Sequence, residues 1–433
     1  MNISVVTLFP DLYKAFLQQS LLKKSQEKEI VSFSMYNLLD YAEPGKRIDT
    51  PTVGHRSGMV LRTDYTEMAV DACEKAHGKA FKIFLSPQGK KLNQRLVQDL
   101  WTRIKDEKNV LLFAGRYEGF DQRIEDHYAD EIVSVGDFIT MGGDIPAMLL
   151  IEALLRYMPG VVGKEDSVEY DSFSKAFVDY PEYGKPLEWK GLHIPEILLS
   201  GNHGAVDVWR EEKAAQKTVL NHFEWLRSSH LTQDDKKKAK KYIPNHYVAL
   251  MHNDIRLKDN RVGATSVTSL DIHDIARSSR TYGFSGYFVV TALQDQRKIM
   301  SSILDFWSEH NPGGEYNKNR HDAMRHVSIQ SDLDVVIQEI EKKEGKMPII
   351  IGTSARQQDI KNKITFYDQA KVWKHDRPVL ILLGTGFGMS DLLLAKCDYM
   401  LVPVEGFSNF NHLSVRSAAA IIFDRWLGCS PKV

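Results

Sequence analysis

Cysteine is scarce, with only Cys73, Cys397 and Cys429 in 433 residues. Their scatter fits neither a disulfide framework nor the paired spacing of a zinc site, which points to a reducing, cytoplasmic setting. Neither sign of charge is in excess: 56 Lys and Arg face 57 Asp and Glu, a formal net charge of −1. Any surface for a polyanion must therefore be local. No GxxxxGK[ST] phosphate loop occurs, which opposes a nucleotide hydrolase, and HExxH and GxSxG are missing too. The N-terminus MNISVVTLFP lacks a basic stretch followed by a long apolar one, so no signal peptide is expected. The most apolar runs, VLILLG (379–384) and AMLLIEALL (147–155), are too short or too interrupted to span a bilayer, so no membrane partner is expected.

The length, by contrast, exceeds one ordinary core, so two or more domains are expected. ISVVTLF opens as a buried strand and DLYKAFLQQSLLKK follows as a helix. Such alternation to about residue 160 predicts an α/β layer with a mostly parallel sheet. Residues 163–186 are polar and broken by Gly and Pro, and read as a linker or loop. A helical pattern runs from Pro195 to Lys241, and IPNH (243–246) reads as a boundary. Alternation then restarts, with strands expected at 247–252, 287–293, 348–353, 379–386 and 399–404 and helices at 299–310 and 333–345. The division predicted is 1–162, 163–243 and 244–433.

The richest segment is paired: LLFAGRYEGFDQR (111–123) and EIVSVGDFITMGGDIPAM (131–148). Each opens as a buried strand and breaks at glycine, leaving backbone N–H and C=O groups able to hold a flat, polar ligand. The spacing is not that of a dinucleotide fingerprint. GRYEG followed by VGDF and GGDIPA resembles the TrmD family, bacterial tRNA guanine-N1-methyltransferases that use S-adenosylmethionine at position 37 of tRNA. The resemblance extends through TLFPDLY (7–13), FLSPQGKKLNQ (84–94), RYMPGVVG (156–163), DSFSKAFVDYPEYGKP (171–186) and IPEILLSGNHGAVDVWR (194–210).

Methylating guanine N1 needs a base to remove its proton and a positive group or N–H to meet charge developing on O6. The resemblance implies Asp171 as the base, Arg156 at O6, and Glu118 close to the donor and to any divalent metal, such as Mg2+. Without it, an Asp before Ser-Phe is ordinarily a helix N-cap and Arg156 a surface ion-pair residue. It places the donor against Pro87, Gly115, Tyr117, Val135, Gly136, Phe138, Thr140, Gly142, Gly143 and Pro146. It further implies a homodimer whose active site lies between subunits, with the base supplied by the partner chain. The sequence itself shows no metal-ligand set. One segment departs from the family: TPTVGHRSGM (50–59) puts His55 and Arg56 where a triple-glycine loop is usual. That loop must take a different path.

In the second half, LLLGTGFGM (382–389) and MLVPVEGFSNFNHLSVRSAAAIIFDRW (400–426) resemble the SPOUT methyltransferase superfamily, to which the TrmD family belongs. This implies an α/β chain with two tandem trefoil-knotted, parallel-sheet domains and a small helical tRNA-binding domain between them. Leu383, Gly384, Thr385, Gly386, Val402, Gly406, Leu413 and Ser414 would surround a second S-adenosylmethionine. DIARSSRTYGF (274–284) resembles the Arg-bearing motif of the ribose 2′-O-methylating SPOUT enzymes, which implies Arg277 as the catalytic arginine and an RNA contact. The usual glutamate is missing from GTGFGM, and Ser414 and Arg416 stand where asparagine and serine are usual. Arg116, Arg210 and the lysines of 236–241 are candidate tRNA contacts, although DDKKKAKK (234–241) reads first as a solvated helix end. The alternative kept open is an RNA-binding or assembly protein in which one donor pocket is degenerate.

Overall fold

The computed structural model describes residues 1–54, 57–162, 171–307, 317–356 and 362–431. They form two compact units, Met1–Lys175 and Ala176–Val433.

The first unit contains β1 (Asn2–Thr7), β2 (Ser32–Asn37), a hairpin of β3 (Asp49–Pro51) and β4 (Met59–Leu61), then β5 (Phe81–Lys91), β6 (Asn109–Ala114) and β7 (Glu131–Ser134). Five of these make a sheet in the order β2-β1-β6-β5-β7, every pair parallel. Strands β1 and β6 are buried at every position, as both faces of a parallel sheet must be. Alternation sends Val5 and Leu112 to one face, against Leu150, Ile151 and Leu154 of the helix Asp144–Leu155. It sends Val6, Leu111 and Phe113 to the other, against Tyr65, Ala69 and Val70 of the helix Thr63–His77. The stretch expected as one helix after β1 is two, Asp11–Leu17 and Ser20–Glu27, because Gln19 turns extended at ψ 151°.

Strand β5 carries the feature that matters most for the site. Leu85 and Lys90 both pair with Val133, so residues 86–89 loop out between them. Gly89 lies so close to β7 that a Cβ there would sit 2.5 Å from the backbone of Ile132 and Val133.

The second unit begins with a hairpin, β8 (Glu188–Trp189) and β9 (Leu192–His193), and helices His203–Asn221, Phe223–Ser228 and Gln233–Lys240. Then follow β10 (His246–Met251), β11 (Ile255–Arg256), β12 (Val262–Gly263), β13 (Gly286–Val290), β14 (Val327–Gln330), β15 (Ile349–Gly352), β16 (Lys363–Ile364), β17 (Val379–Gly384) and β18 (Tyr399–Leu401). Seven form a wholly parallel sheet, β14-β13-β10-β17-β15-β18-β16. All five strands expected from sequence are present, together with two edge strands, β14 and β16. The expected helices appear as Gln294–Phe306 and Leu333–Glu344.

The helices before residue 243 share the second sheet's core instead of making one of their own. Val219, Phe223, Leu226 and Ala239 cluster with Val248, Trp373 and Phe423, and Arg227 donates to the carbonyls of Asp424 and Arg425. The break between units thus falls at 175/176, where the sequence suggested 162/163 and 243/244. At this core His246 is fully buried and accepts at Nε2 from the indoles of Trp426 (2.9 Å) and Trp373 (3.3 Å). Its Nδ1 donates to the Pro244 carbonyl at 2.7 Å. Among the described residues no helix is long and apolar enough to cross a membrane.

Candidate functional site

At the C-terminal ends of β5, β6 and β7 the first unit has a cavity of about 340 Å³. Parallel sheets characteristically present ligand sites at this edge. Gly115, Tyr117 and Glu118, following β6, form one wall; Val135, Phe138, Thr140, Gly142, Gly143 and Pro146, following β7, form another; Pro87 in the excursion of β5 forms a third. All the residues expected around this donor therefore border one space except Gly136. Gly136 backs the Phe138 ring, which a Cβ would meet at 2.6 Å. Sequence reasoning missed Gln88, Phe120, Gln122, Ser134, Ile139 and Glu125, which also line it.

The glycines here are required by close approach. A Cβ on Gly143 would lie 2.8 Å from the Ala114 Cα and the Gly115 nitrogen, and one on Gly142 would lie 2.4 Å from Arg116 Cδ. Gly143 N–H donates to the Gly115 carbonyl at 2.7 Å, joining the two glycine-broken loops. Tyr117 sits between them at φ 59°, a conformation that costs a side-chain-bearing residue about 1–2 kcal/mol.

A buried clamp that sequence did not reveal holds these loops. Asp144 is 1% exposed and accepts from Thr7 Oγ1 (2.5 Å), Tyr13 Oη (3.3 Å) and Arg116 Nε (3.0 Å). Arg116 also donates to the Met141 carbonyl at 3.2 Å and lies over the Phe9 ring. Burial first, and then Asp144, push the Tyr13 phenol far above its ordinary value, so it stays a donor. Arg116, expected on tRNA, is engaged in this clamp.

Arg156 and Asp171 form an ion pair with each other, and neither lines the cavity of its own chain. Arg156 closes the helix Asp144–Leu155, and no helix begins at Asp171, so the N-cap role does not apply. Glu118 is exposed, with its stem against Gly58. His55 and Arg56 of the altered loop lie outside the described residues, as do residues 163–170. Among the described residues no group of three His, Cys, Asp or Glu could hold a metal ion.

The family model for tRNA (Guanine-1)-methyltransferase TrmD matches residues 1–228. The chain belongs to the TrmD family. A second model, described as SAM-dependent RNA methyltransferase, matches residues 245–428. A tRNA (guanine-N(1)-)-methyltransferase of Nitratidesulfovibrio vulgaris is 35% identical over 434 residues, and one of Oleidesulfovibrio alaskensis 37%; each match covers 99% of both chains. The Bacillus subtilis relative of the same name is 36% identical over 239 residues, 55% of this chain and 97% of that one. The crystal structure of tRNA (m1G37) methyltransferase from Aquifex aeolicus is 31% identical, covering 50% of this chain and 93% of that one, with a TM-score of 0.42. The cavity thus lies within the TrmD-matching half, and its fit to S-adenosylmethionine can be judged from its walls. They offer bare backbone at Gly115, Gly142 and Gly143, an apolar ring at Phe138 and, among the described residues, no cation. This suits a flat heterocycle carrying net positive charge better than a phosphate ester.

In the second unit, Leu383 and Gly384 end the central strand β17, and Thr385 donates to the Met251 carbonyl at 2.9 Å. Gly386 turns at φ 57° against Thr265. Val402 follows β18 and donates to the Ile364 carbonyl. Gly406 and Leu413 stand in the exposed loop that leads to Ser414, which caps the helix Val415–Leu427 by accepting from Ser417 N–H. Arg416 bridges to Asp271 (3.4 Å) and Asp274 (3.2 Å) on the helix Ser269–Thr281, where Arg277 faces solvent. A line of hydrogen bonds not foreseen runs from half-buried Thr385 through half-buried Thr265 (2.6 Å) to Nδ1 of buried His252 (3.0 Å). Burial pushes His252 down to about 4.

Of the remaining RNA candidates, Arg210 stacks over Tyr180. Lys238 pairs with Glu211 and Asp234, and Lys241 with Glu212, as on a solvated helix face.

Proposed function

We propose that this chain transfers a methyl group from S-adenosylmethionine to N1 of guanine at position 37 of tRNA. The observation that carries the reading is the cavity, which gathers the TrmD-type residues after β5, β6 and β7 into one space. Both halves are read as SPOUT-type knotted domains, the second a SAM-dependent RNA methyltransferase of unassigned target, and the chain as cytoplasmic.

S-adenosylmethionine, when bound, supplies a methyl carbon made electrophilic by the sulfonium. The chain's residues do the rest. Gly115, Gly142 and Gly143 offer backbone to the adenine, and Phe138 packs beside it. Asp171 accepts the N1 proton, and Arg156 meets the charge that moves to O6, an arrangement worth about 10²–10⁴-fold for the base. The lone pair left on N1 would take the methyl carbon, and the carbon–sulfur electron pair would leave with S-adenosylhomocysteine. A proton acceptor must reach its target within about 3 Å, and Asp171 and Arg156 do not border the cavity of their own chain. A second copy is therefore needed to bring its Asp171 and Arg156 to the donor. Support for a homodimer comes from Ile139 (79% exposed) and Met141 (94%), apolar residues on the cavity rim without cover, continued by Ile145 and Leu149 along the adjoining helix.

The test is methyl transfer from labelled S-adenosylmethionine to a tRNA transcript with guanines at positions 36 and 37, comparing intact protein with Asp171→Ala. Position-37 product that falls at least a hundredfold in the variant is expected; methylation left elsewhere then belongs to the second unit. No position-37 product from protein that binds the donor would refute the reading.

A further inference from the structure

Carboxylates around the first site are satisfied almost everywhere. Asp144 holds Arg116, Asp121 holds Arg123, and Glu131 holds both Lys90 and Arg103. Glu125 breaks the pattern. It sits half-buried on the helix Gln122–Tyr128 and lines the cavity, yet its side chain reaches no hydrogen-bond donor and no cation among the described residues. Burial pushes its carboxyl above the ordinary value, with Asp126 adding like charge. Glu118 is the other acid of the wall, and among the described residues the lining contains no Lys, Arg or His. A partly desolvated carboxylate without a counter-charge is unfavourable in the empty cavity and is relieved by a ligand that carries one.

We infer that Glu125 is the counter-charge for the cationic end of the methyl donor and sets the cavity's preference for charged over uncharged adenosyl ligands. This rests on the reading above, that the cavity takes S-adenosylmethionine. That molecule carries a sulfonium and an α-ammonium against one carboxylate; S-adenosylhomocysteine lacks the sulfonium, and 5′-methylthioadenosine lacks all three charges. An acidic wall therefore ranks the three by charge, whereas an apolar or shape-based wall does not.

The test uses the full chain and reads the first unit alone. Ligand-dependent protection of residues 131–143 from hydrogen exchange is titrated to give a Kd for each of the three ligands. Glu125→Gln, which keeps the shape and removes the charge, is expected to weaken S-adenosylmethionine about tenfold, or ~1.4 kcal/mol. Methylthioadenosine should stay within about twofold, and Glu125→Asp should recover part of the loss. If S-adenosylhomocysteine weakens equally, the group faced is the ammonium; if it is unchanged, the sulfonium. Both outcomes support the assignment. Equal weakening of all three ligands, or of none, overturns it while leaving the donor reading intact. Wild-type protein in which S-adenosylmethionine protects nothing in 131–143 overturns the donor reading, and the role of Glu125 with it.

Discussion

The clamp on Asp144 offers the sharpest test of how the first unit holds its site. Its carboxylate is 1% exposed and meets the Arg116 guanidinium at 2.8 Å, with that side chain 22% exposed. Removing one member of a buried ion pair costs about 3–5 kcal/mol, because the other is left without compensation. Asp144→Ala strands a guanidinium that retains some water, so the loss should be near the lower end, about 3 kcal/mol. Arg116→Ala strands the more deeply buried carboxylate with only the Thr7 and Tyr13 hydroxyls. Its cost should be nearer 4–5 kcal/mol, including ~0.5–1 kcal/mol for the lost stacking on Phe9.

A chain of two compact units need not unfold in one step, and a single Tm would then mix them. Native-state hydrogen exchange of residues 111–114 and 147–154 reads the first unit directly. The double variant should be less unstable than the sum of the singles by at least ~1.5 kcal/mol, since neither charge is then stranded. Donor affinity should fall in both singles, because Arg116 also anchors the loop through the Met141 carbonyl. Additivity within ~0.5 kcal/mol, or Asp144→Ala costing less than ~1 kcal/mol, would refute the clamp.

Gly89→Ala would drive a Cβ into the β7 backbone, which cannot swing aside as a side chain can, so a loss of at least ~1–3 kcal/mol is expected. Exchange protection in 131–134 measures it, and a change under ~0.5 kcal/mol would show that the 86–89 excursion is compliant. Acid should weaken the second unit selectively, since burial holds His246 at about 3 and His252 at about 4, both below the ordinary value near 6.5. Both rings are neutral when folded, so their contribution is complete above pH ~6.5. It is lost as the pH falls toward 4 and 3, by up to ~1.4 kcal/mol per pH unit for each. Stability of the second unit that stays flat between pH 7 and 5 would contradict this.

What could be read in advance follows from what is local along the chain. VLLFA, YVALM and VLILLG announce themselves because a strand buried on both faces favours an unbroken apolar run, while NISVVT keeps only Ile3, Val5 and Val6 around buried Ser4. The cavity walls were legible because each is a strand end broken by glycine. Edge strand β14, VSIQ, was missed because one flank of an edge is open and its residues need not be apolar. The Asp144 clamp was missed for another reason: its partners Thr7 and Tyr13 lie 137 and 131 residues away, and no spacing rule joins them. The same holds for His246, whose indole donors are 127 and 180 residues distant. The helices at 203–240 were read correctly as helices. Their apolar stripe, however, does not state which sheet it covers.

The two sites meet one geometrical problem with different materials. In both, loops leave the C-terminal ends of parallel strands and a helix follows. In the first, backbone lies against backbone: Gly143 approaches Ala114 and Gly115 so closely that a methyl group has no room, and a buried acid fixes the register behind it. In the second, Gly384 is bordered by the Met389 side chain and by the backbone of Gly388 and Met389, and Gly386 by the Thr265 and Ile255 side chains and the Arg256 carbonyl, all at 3.0 Å or more. Order there comes from hydroxyls and charges, through Thr385, Thr265 and His252 on one side and Arg416 with Asp271 and Asp274 on the other. A wall built of close backbone contacts leaves little room for substitution at the glycines, and its register depends on the clamp behind it. A wall built of side-chain contacts can be retuned by single substitutions, and Ser414 and Arg416 are departures of that kind. The loops of the first unit are therefore fixed largely by the fold, whereas any target of the second unit is to be sought by measuring which RNA position, if any, is still methylated in Asp171→Ala.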